Sequence, residues 1–298
     1  MSLVERPAPP PSSPRPTFEG PALIRRADVT RHVWGDAAAG EVYDWIYAST
    51  ERVHMLVFGL PPGGAFRHSE DFRTIFAADE LLHVLQGVLV IADPETGEVQ
   101  RAGTGESVFF SRDTWHHAFA LGPEPLRVLE LFAPPPAAGA SSAYARAQPY
   151  LEQSRYADDA LLGHWPPAAP PDPQATPHSH PGPVRQTRLR VLRPADVLWR
   201  RDLGVLCGVL VSTEHLTVAT LEIGPGEAAA PHEHGGDEVL MALGGTLWVR
   251  AWFDGAVHVF ELEPEDACYL PAGCRHEYRN AQGATARAIC GVAPSWLP

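Results

Sequence analysis

The sequence predicts an all-β protein of two tandem barrels joined by a helical and proline-rich linker. Three observations predict it. Short apolar runs alternate with turn residues over two long stretches, the pattern of sandwiches and barrels. The second stretch repeats the first: Ala27-Asp28-Val29 returns as Ala195-Asp196-Val197, each behind an Arg-containing lead-in. Ser49-Thr50-Glu51 followed by Pro62-Gly63 also returns, at the same separation, as Ser212-Thr213-Glu214 followed by Pro225-Gly226. Between the two stretches lies a segment with helix formers, then prolines, and no strand pattern. Duplication at this length means two domains rather than a solenoid.

The elements follow in order. Residues 1–19 form an arm rich in Pro and Ser, which buries too little apolar surface to order itself. Residues 20–137 form the first barrel. Val53 to Leu60 reads as a strand and Pro61 to Gly64 as a turn. Leu81 to Ile91 reads as a strand pair broken at Gly87, Asp93 to Gly97 as a hairpin connection, and Ser107 to Phe110 and Leu126 to Phe132 as further strands. Residues 138–188 form the linker, with a helix between Ala138 and Leu162 broken at Pro149, then an extended proline tract from Pro166 to Pro183. Residues 189–298 form the second barrel.

Composition narrows the function. A net charge of −13 argues against nucleic acid or an anionic membrane as partner. Lysine is absent, so neither a Schiff base nor a lysine general base is available. The four cysteines include no C-x-x-C pair. No apolar run is long enough to span a bilayer, and the first residues carry Glu5 and prolines where a leader would be apolar. A soluble, cytoplasmic protein with reduced thiols is expected.

The chemistry concentrates in two segments of the second barrel. One runs from Gly226 through His232-Glu-His234 to Glu238 and Gly245; the other from Pro271 through Gly273 and His276 to Asn280. His232 and His234 are two apart and share a face if extended. Glu238 follows a Gly-Gly turn that can fold it back beside them, and His276 opens another strand after a Pro-x-Gly turn. Three imidazoles and a carboxylate on neighbouring strands suit a divalent metal. Tyr278, two after His276, should point inward with it, either as a proton donor to a bound oxygen or as a core tyrosine.

These segments resemble the two motifs of the cupin superfamily: Gly, five residues, His-x-His, three or four residues, Glu, six residues, Gly; then Pro-x-Gly, two residues, His, three residues, Asn. Every position is matched; the one departure is Glu265, where a turn glycine is expected. The resemblance implies a bicupin of two jelly-roll-like, double-stranded β-helix barrels, with His232, His234, Glu238 and His276 as ligands of one divalent metal per chain.

The first barrel is degenerate. Glu80 to Gly87 matches the end of the first motif, and Ser111 to His116 matches the second imperfectly. The His-x-His pair is missing: its positions fall on Thr74 and Phe76 counting back from Glu80, or on Ser69 and Asp71 by the repeat. His68 is near enough to complete a second site with Glu80 and His116; a barrel kept for packing and dimer formation is the alternative. His83 should face away from Glu80, and His117 away from His116. His178 and His180 have ligand spacing but lie in the linker. Cys274 either lines the pocket mouth or is a small buried thiol.

The expected function is an Fe(II)-dependent dioxygenase or other oxygenase acting on a small oxygenated or aromatic molecule. An open His/Glu site with Trp248, Trp252 and Phe260 close in sequence motivates it. Two-barrel cupins with one competent site occur among ring-cleaving dioxygenases, where the Glu ligand is often missing. One alternative is a Mn-, Zn- or Ni-dependent isomerase, decarboxylase or lyase, with Tyr278 as acid or base. Another is a non-enzymatic small-molecule-binding module. The family resemblance also implies a homodimer.

Overall fold

The structure, a computed structural model, describes residues 13–135, 143–156 and 187–298. Each half is a seven-stranded antiparallel sheet with a smaller sheet beside it, as the duplicated strand pattern predicts. In the first half the order is Arg190–Leu192, Ser107–Phe110, Asp79–Gln86, Leu126–Ala133, His54–Leu60, Gly40–Ser49, Thr30–Asp36. In the second it is Ala22–Ile24, Ala267–Leu270, Asp237–Gly244, Ala286–Ala293, Thr217–Ile223, Val205–Ser212, Leu198–Asp202. The smaller sheets carry four and three strands; the latter contains Leu247–Phe253 and Arg275–Arg279.

The outermost strands correct the boundaries drawn at 20 and 189. Ala22–Ile24 pairs with Ala267–Leu270 of the second half, with Leu23 opposite Cys268. Arg190–Leu192 pairs with Ser107–Phe110 of the first, with Val191 opposite Val108. The repeated lead-ins are therefore exchanged strands. Each caps the open edge of the other barrel's sheet, an edge that would otherwise present unpaired backbone groups.

Strand parity builds the interior. On one face of the two large sheets, Met55, Val57, Leu81, Leu129 and Leu131 meet Val218, Val239, Met241 and Ile289 in one shared core. On the opposite faces, Leu56, Phe58, Leu82 and Val128 fill the first barrel, and Leu221, Leu240, Ala288 and Cys290 the second. Strands covered on both sides are apolar throughout, and every residue of His54–Leu60 is buried. The sheets approach closely at Gly291, where a Cβ would stand 3.2 Å from two carbons of Leu131.

Part of the expected loose arm is docked. Arg15 donates to Ser49 Oγ at 3.2 Å and to the Thr50 carbonyl at 2.8 Å, and Phe18 stacks on Tyr269 at 5.3 Å. Backbone pairing adds to this: Ser49 N–H donates to the Pro16 carbonyl. Among the described residues, the expected helix is Ala143–Ala147, which ends ahead of Pro149. The proline tract, with His178 and His180, lies outside the described residues. No helix among the described residues is long and apolar enough to cross a membrane.

Glu265 explains its own departure from glycine. Its backbone is left-handed, with φ +70°. Its carboxylate is held across the barrel interface by the Arg127 guanidinium, with Nη1 to Oε1 at 2.7 Å, and by Arg26 Nε at 3.1 Å. Its carbonyl accepts the Tyr47 hydroxyl at 2.9 Å. The two-pronged ion pair offsets the strain that a glycine would avoid. Glu265→Ala should therefore lower unfolding stability in urea by about 2 kcal/mol or more. Glu265→Gly should cost less than the alanine variant by roughly 1 kcal/mol, because it relieves the positive φ.

Candidate metal centre

Local backbone geometry brings the second barrel's polar residues together. His232 and His276 sit opposite each other in an antiparallel bridge, each N–H donating to the other's carbonyl at 2.8 Å. The Gly273 N–H donates to the His234 carbonyl at 2.8 Å, fixing the second motif against the first. Gly236 makes the intervening turn where a Cβ would stand 2.3 Å from the Ala293 carbonyl oxygen, so no other residue fits. Glu238 then opens the strand Asp237–Gly244, opposite Leu270 and Val292 and 1% exposed.

Each imidazole is oriented by a backbone carbonyl. Nδ1 of His232 faces Ala230 O at 2.9 Å, Nδ1 of His234 faces Trp296 O at 2.6 Å, and Nδ1 of His276 faces Cys274 O at 2.9 Å. A carbonyl only accepts, so each Nδ1 carries the proton and each Nε2 is left to bind. Ligand nitrogens of the three lie within 4.8 Å of one another. Glu238 Oε2 stands 3.0 Å from His276 Nε2 and 3.6 Å from His234 Nε2. Both Glu238 Oε2 and His234 Nε2 are buried without a hydrogen-bond partner. Orphaned donor atoms converging on one point are what a metal ligand set looks like before its ion is added. The residues therefore fit a divalent metal.

Electrostatics agree. Burial works to raise the Glu238 carboxyl, but the neighbouring His276 and His234 rings and the hydrogen bond from Tyr278 outweigh it and hold it at about 2. Burial, then the neighbouring His276, lowers His232 to about 4. Tyr278 does point inward: its hydroxyl donates to Glu238 Oε1 at 2.5 Å and lies 3.0 Å from His276 Nε2. Cys274 is a buried thiol, pushed up to about 11 by burial and then by the Glu238 charge.

Of the three aromatic residues inferred from sequence, Phe260 lies opposite Val249 and packs on the second barrel's core, but the two tryptophans face away. His276 pairs with Ala251 and Tyr278 with Val249, so those small apolar residues share the site's face. Trp248 and Trp252 alternate to the other face, where Trp252 lies under the Arg250 and Arg275 guanidiniums. Besides Tyr278, the aromatic residue against the ligands is Trp296, its ring tilted against His234 at 4.5 Å between centroids. It follows the last strand, with no motif to mark it.

A model of the Cupin domain matches residues 56–132 and again 219–292. The chain belongs to the cupin family. Among solved structures it is similar to AerE from Microcystis aeruginosa, with a TM-score of 0.56 at 11% identity over 89% of this chain and 97% of that one. It is also similar to an oxalate decarboxylase of Bacillus subtilis, with a TM-score of 0.62 at 14% identity over 95% and 79%. The oxalate decarboxylase of Lactobacillus farciminis, in complex with formate, gives 0.62 at 13% over 95% and 87%. No curated protein matches in sequence.

The first cupin barrel corrects the expected second site. His68 does not join Glu80 and His116: its ring bonds His117 Nε2 at 2.7 Å and the Leu151 carbonyl at 2.7 Å. The third member of the group is Glu130, whose donor atom lies within 4.8 Å of those of Glu80 and His116. Backbone pairing also settles which residues replace His-x-His. His116 N–H donates to the Thr74 carbonyl and Asp113 N–H to the Phe76 carbonyl, copying the links of His276 to His232 and Gly273 to His234. Thr74 and Phe76 are the replacements. His83 and His117 face away as expected, bonded to Ser107 and Tyr156 respectively.

Asp44 is buried in this barrel, and burial raises its carboxyl from 3.8 to about 8. The folded state then keeps a proton that the unfolded chain releases, so stability falls as pH rises from about 4 to about 8. One such acid contributes up to about 1.4 kcal/mol per pH unit in that window. Asp44→Asn should gain at least about 1 kcal/mol on the native chain between pH 4.5 and 7, with no further gain above pH 8.5. Denaturant titrations across pH read this directly.

Proposed function

We propose that this cupin is a metal-dependent enzyme whose catalytic centre lies in the second barrel, held by His232, His234, Glu238 and His276. The observation that carries the reading is the buried, orphaned pair of ligand atoms, Glu238 Oε2 and His234 Nε2, beside two further imidazoles. The favoured reaction is an Fe(II)-dependent oxygenation of a small oxygenated or aromatic molecule. A bound divalent iron supplies Lewis acidity and redox chemistry toward dioxygen there.

The chain's own residues do the rest. The three carbonyl-anchored imidazoles hold their Nε2 atoms in place without reorganisation. Val249, Ala251 and the buried strand residues keep the surroundings dry. Tyr278 holds a proton between Glu238 and His276, ready for an oxygen of the substrate. That placement also favours a second reading, a non-redox isomerase, decarboxylase or lyase using Mn, Zn or Ni, in which Tyr278 is the acid. A soluble cytoplasmic setting, with all four thiols free and buried, suits either.

Oxygen uptake by the Fe(II)-loaded chain with a panel of phenols and diketones tests the reading. Uptake coupled to substrate loss is expected. Turnover that proceeds anaerobically with Mn or Zn would replace it with the second reading, and tight binding without turnover under any metal would remove the enzyme altogether. Tyr278→Phe should keep its metal and lose about a hundredfold or more in kcat.

A further inference from the structure

The first barrel encloses a cavity of about 100 Å³ that opens to solvent. A closed apolar cavity of roughly 150 Å³ holds a benzene ring, so this one, open at its mouth, suits a small ligand. Its walls include Trp34, Phe58, Phe66, Phe76 and Phe132, and Arg15 from the docked arm lines it too. Asp44, Thr74, His116 and Glu130 line the same space.

The carboxyls are additions to the barrel rather than remnants of a lost metal site. Glu130 lies two residues before Phe132, the partner of Glu80; the equivalent residue two before Val292, the partner of Glu238, is Cys290. Asp44 pairs with Phe58, five residues before Ser49; the residue five before Ser212 is Cys207, paired with Leu221. Where the second barrel packs small thiols, the first has buried two acids. With Glu80 they lie on the interior face of three strands of one sheet, flanking Leu56 and Phe58. A barrel kept only for packing gains nothing from them, because burying a carboxyl is costly.

Glu80 and Glu130 hydrogen-bond each other, and among the described residues no cation pairs with Asp44 or Glu130. The groups facing them are His54, His116 and Arg15. Burial lowers His54 to about 3 and His116 to about 4, so both rings are uncharged at neutral pH. Arg15 is engaged by Ser49 and Thr50. The one ion-pair contact to the three acids among the described residues is His116 to Glu80, at 3.9 Å. Glu80 Oε2 and Thr74 Oγ1 are buried, at 1% and 2% residue exposure, with no hydrogen-bond partner. Polar atoms so placed want a ligand.

We propose that the first barrel binds an organic ammonium ion, its charged nitrogen received by Asp44 and by Glu130, which Glu80 backs, and its apolar or aromatic body by the phenylalanine and tryptophan walls. Carboxylates with aromatic faces recognise such cations by charge-assisted hydrogen bonds and cation–π attraction. A bare divalent ion would use Glu80, His116 and Glu130 and leave Asp44 and the aromatic walls without a role. The site is separate from the metal centre and does not depend on the function proposed for it.

Calorimetric titration of the full chain with 2-phenylethylamine tests this, alongside 2-phenylethanol, 3-phenylpropionate and Mn(II). The amine should bind one per chain, with the alcohol and the acid at least about tenfold weaker. Asp44→Asn and Glu130→Gln should each weaken the amine about tenfold or more without lowering the thermal midpoint, and His276→Ala should leave it unchanged. The proposal is overturned if the amine does not bind, if the alcohol or acid binds as well, or if His276→Ala abolishes binding. It is equally overturned if the His276→Ala chain takes up Mn(II) at a site that Glu130→Gln removes.

Discussion

A carboxylate with 1% of its surface exposed stays ionised only when positive charge stands beside it. Glu238 meets that condition with the His276 and His234 rings, and the Ala230, Trp296 and Cys274 carbonyls orient all three imidazoles. One of its oxygens is taken by Tyr278; the other faces the imidazoles and has no hydrogen bond. The turn at Gly236, the bridge between His232 and His276 and the link from Gly273 to His234 all serve to bring that oxygen and those nitrogens to one point. A shared proton or a metal ion can occupy it, and the convergence of three imidazole nitrogens suits the ion.

The two-residue period of the strand makes this arrangement hold in both halves. On each long strand one parity feeds the core shared between barrels and the other faces the barrel's own interior. A slip by one residue would send Glu238 into the shared core and bring Val239 or Asp237 to its place in the site. Because the shared core and the exchanged edge strands tie the halves together, each barrel is free to vary its interior. The second interior gathers a histidine triad that fits a metal, beside the small residues Val249 and Ala251. The first has Glu80 and His116 but carries Asp44 and Glu130 where the second has Cys207 and Cys290, and it holds an aromatic-walled cavity.

Much of this was legible in the residues. Strand alternation and the internal repeat carried the fold, and motif spacing picked out His232, His234, Glu238 and His276, with Tyr278 inward by parity. What could not be read depends on pairing between strands far apart in sequence. Glu130 and Asp44 sit in apolar runs with no motif, and only the register places them beside Glu80. The same holds for Trp248 and Trp252, whose nearness in sequence concealed their outward facing. Thr74 and Ser69 both satisfied a count, and the backbone bond from His116 decided between them. His68 was close in number but is drawn off by His117 and Leu151. The exchange of edge strands left its trace in the repeated lead-ins, yet a repeat does not say which sheet its strand joins.

The most direct test is metal stoichiometry by elemental analysis, on the chain purified without chelators and on His276→Ala handled identically. The account predicts close to one divalent metal per wild-type chain and loss of most of it from the variant. A wild-type chain that takes up none of iron, manganese, zinc or nickel, or a variant that keeps its full complement, would contradict it.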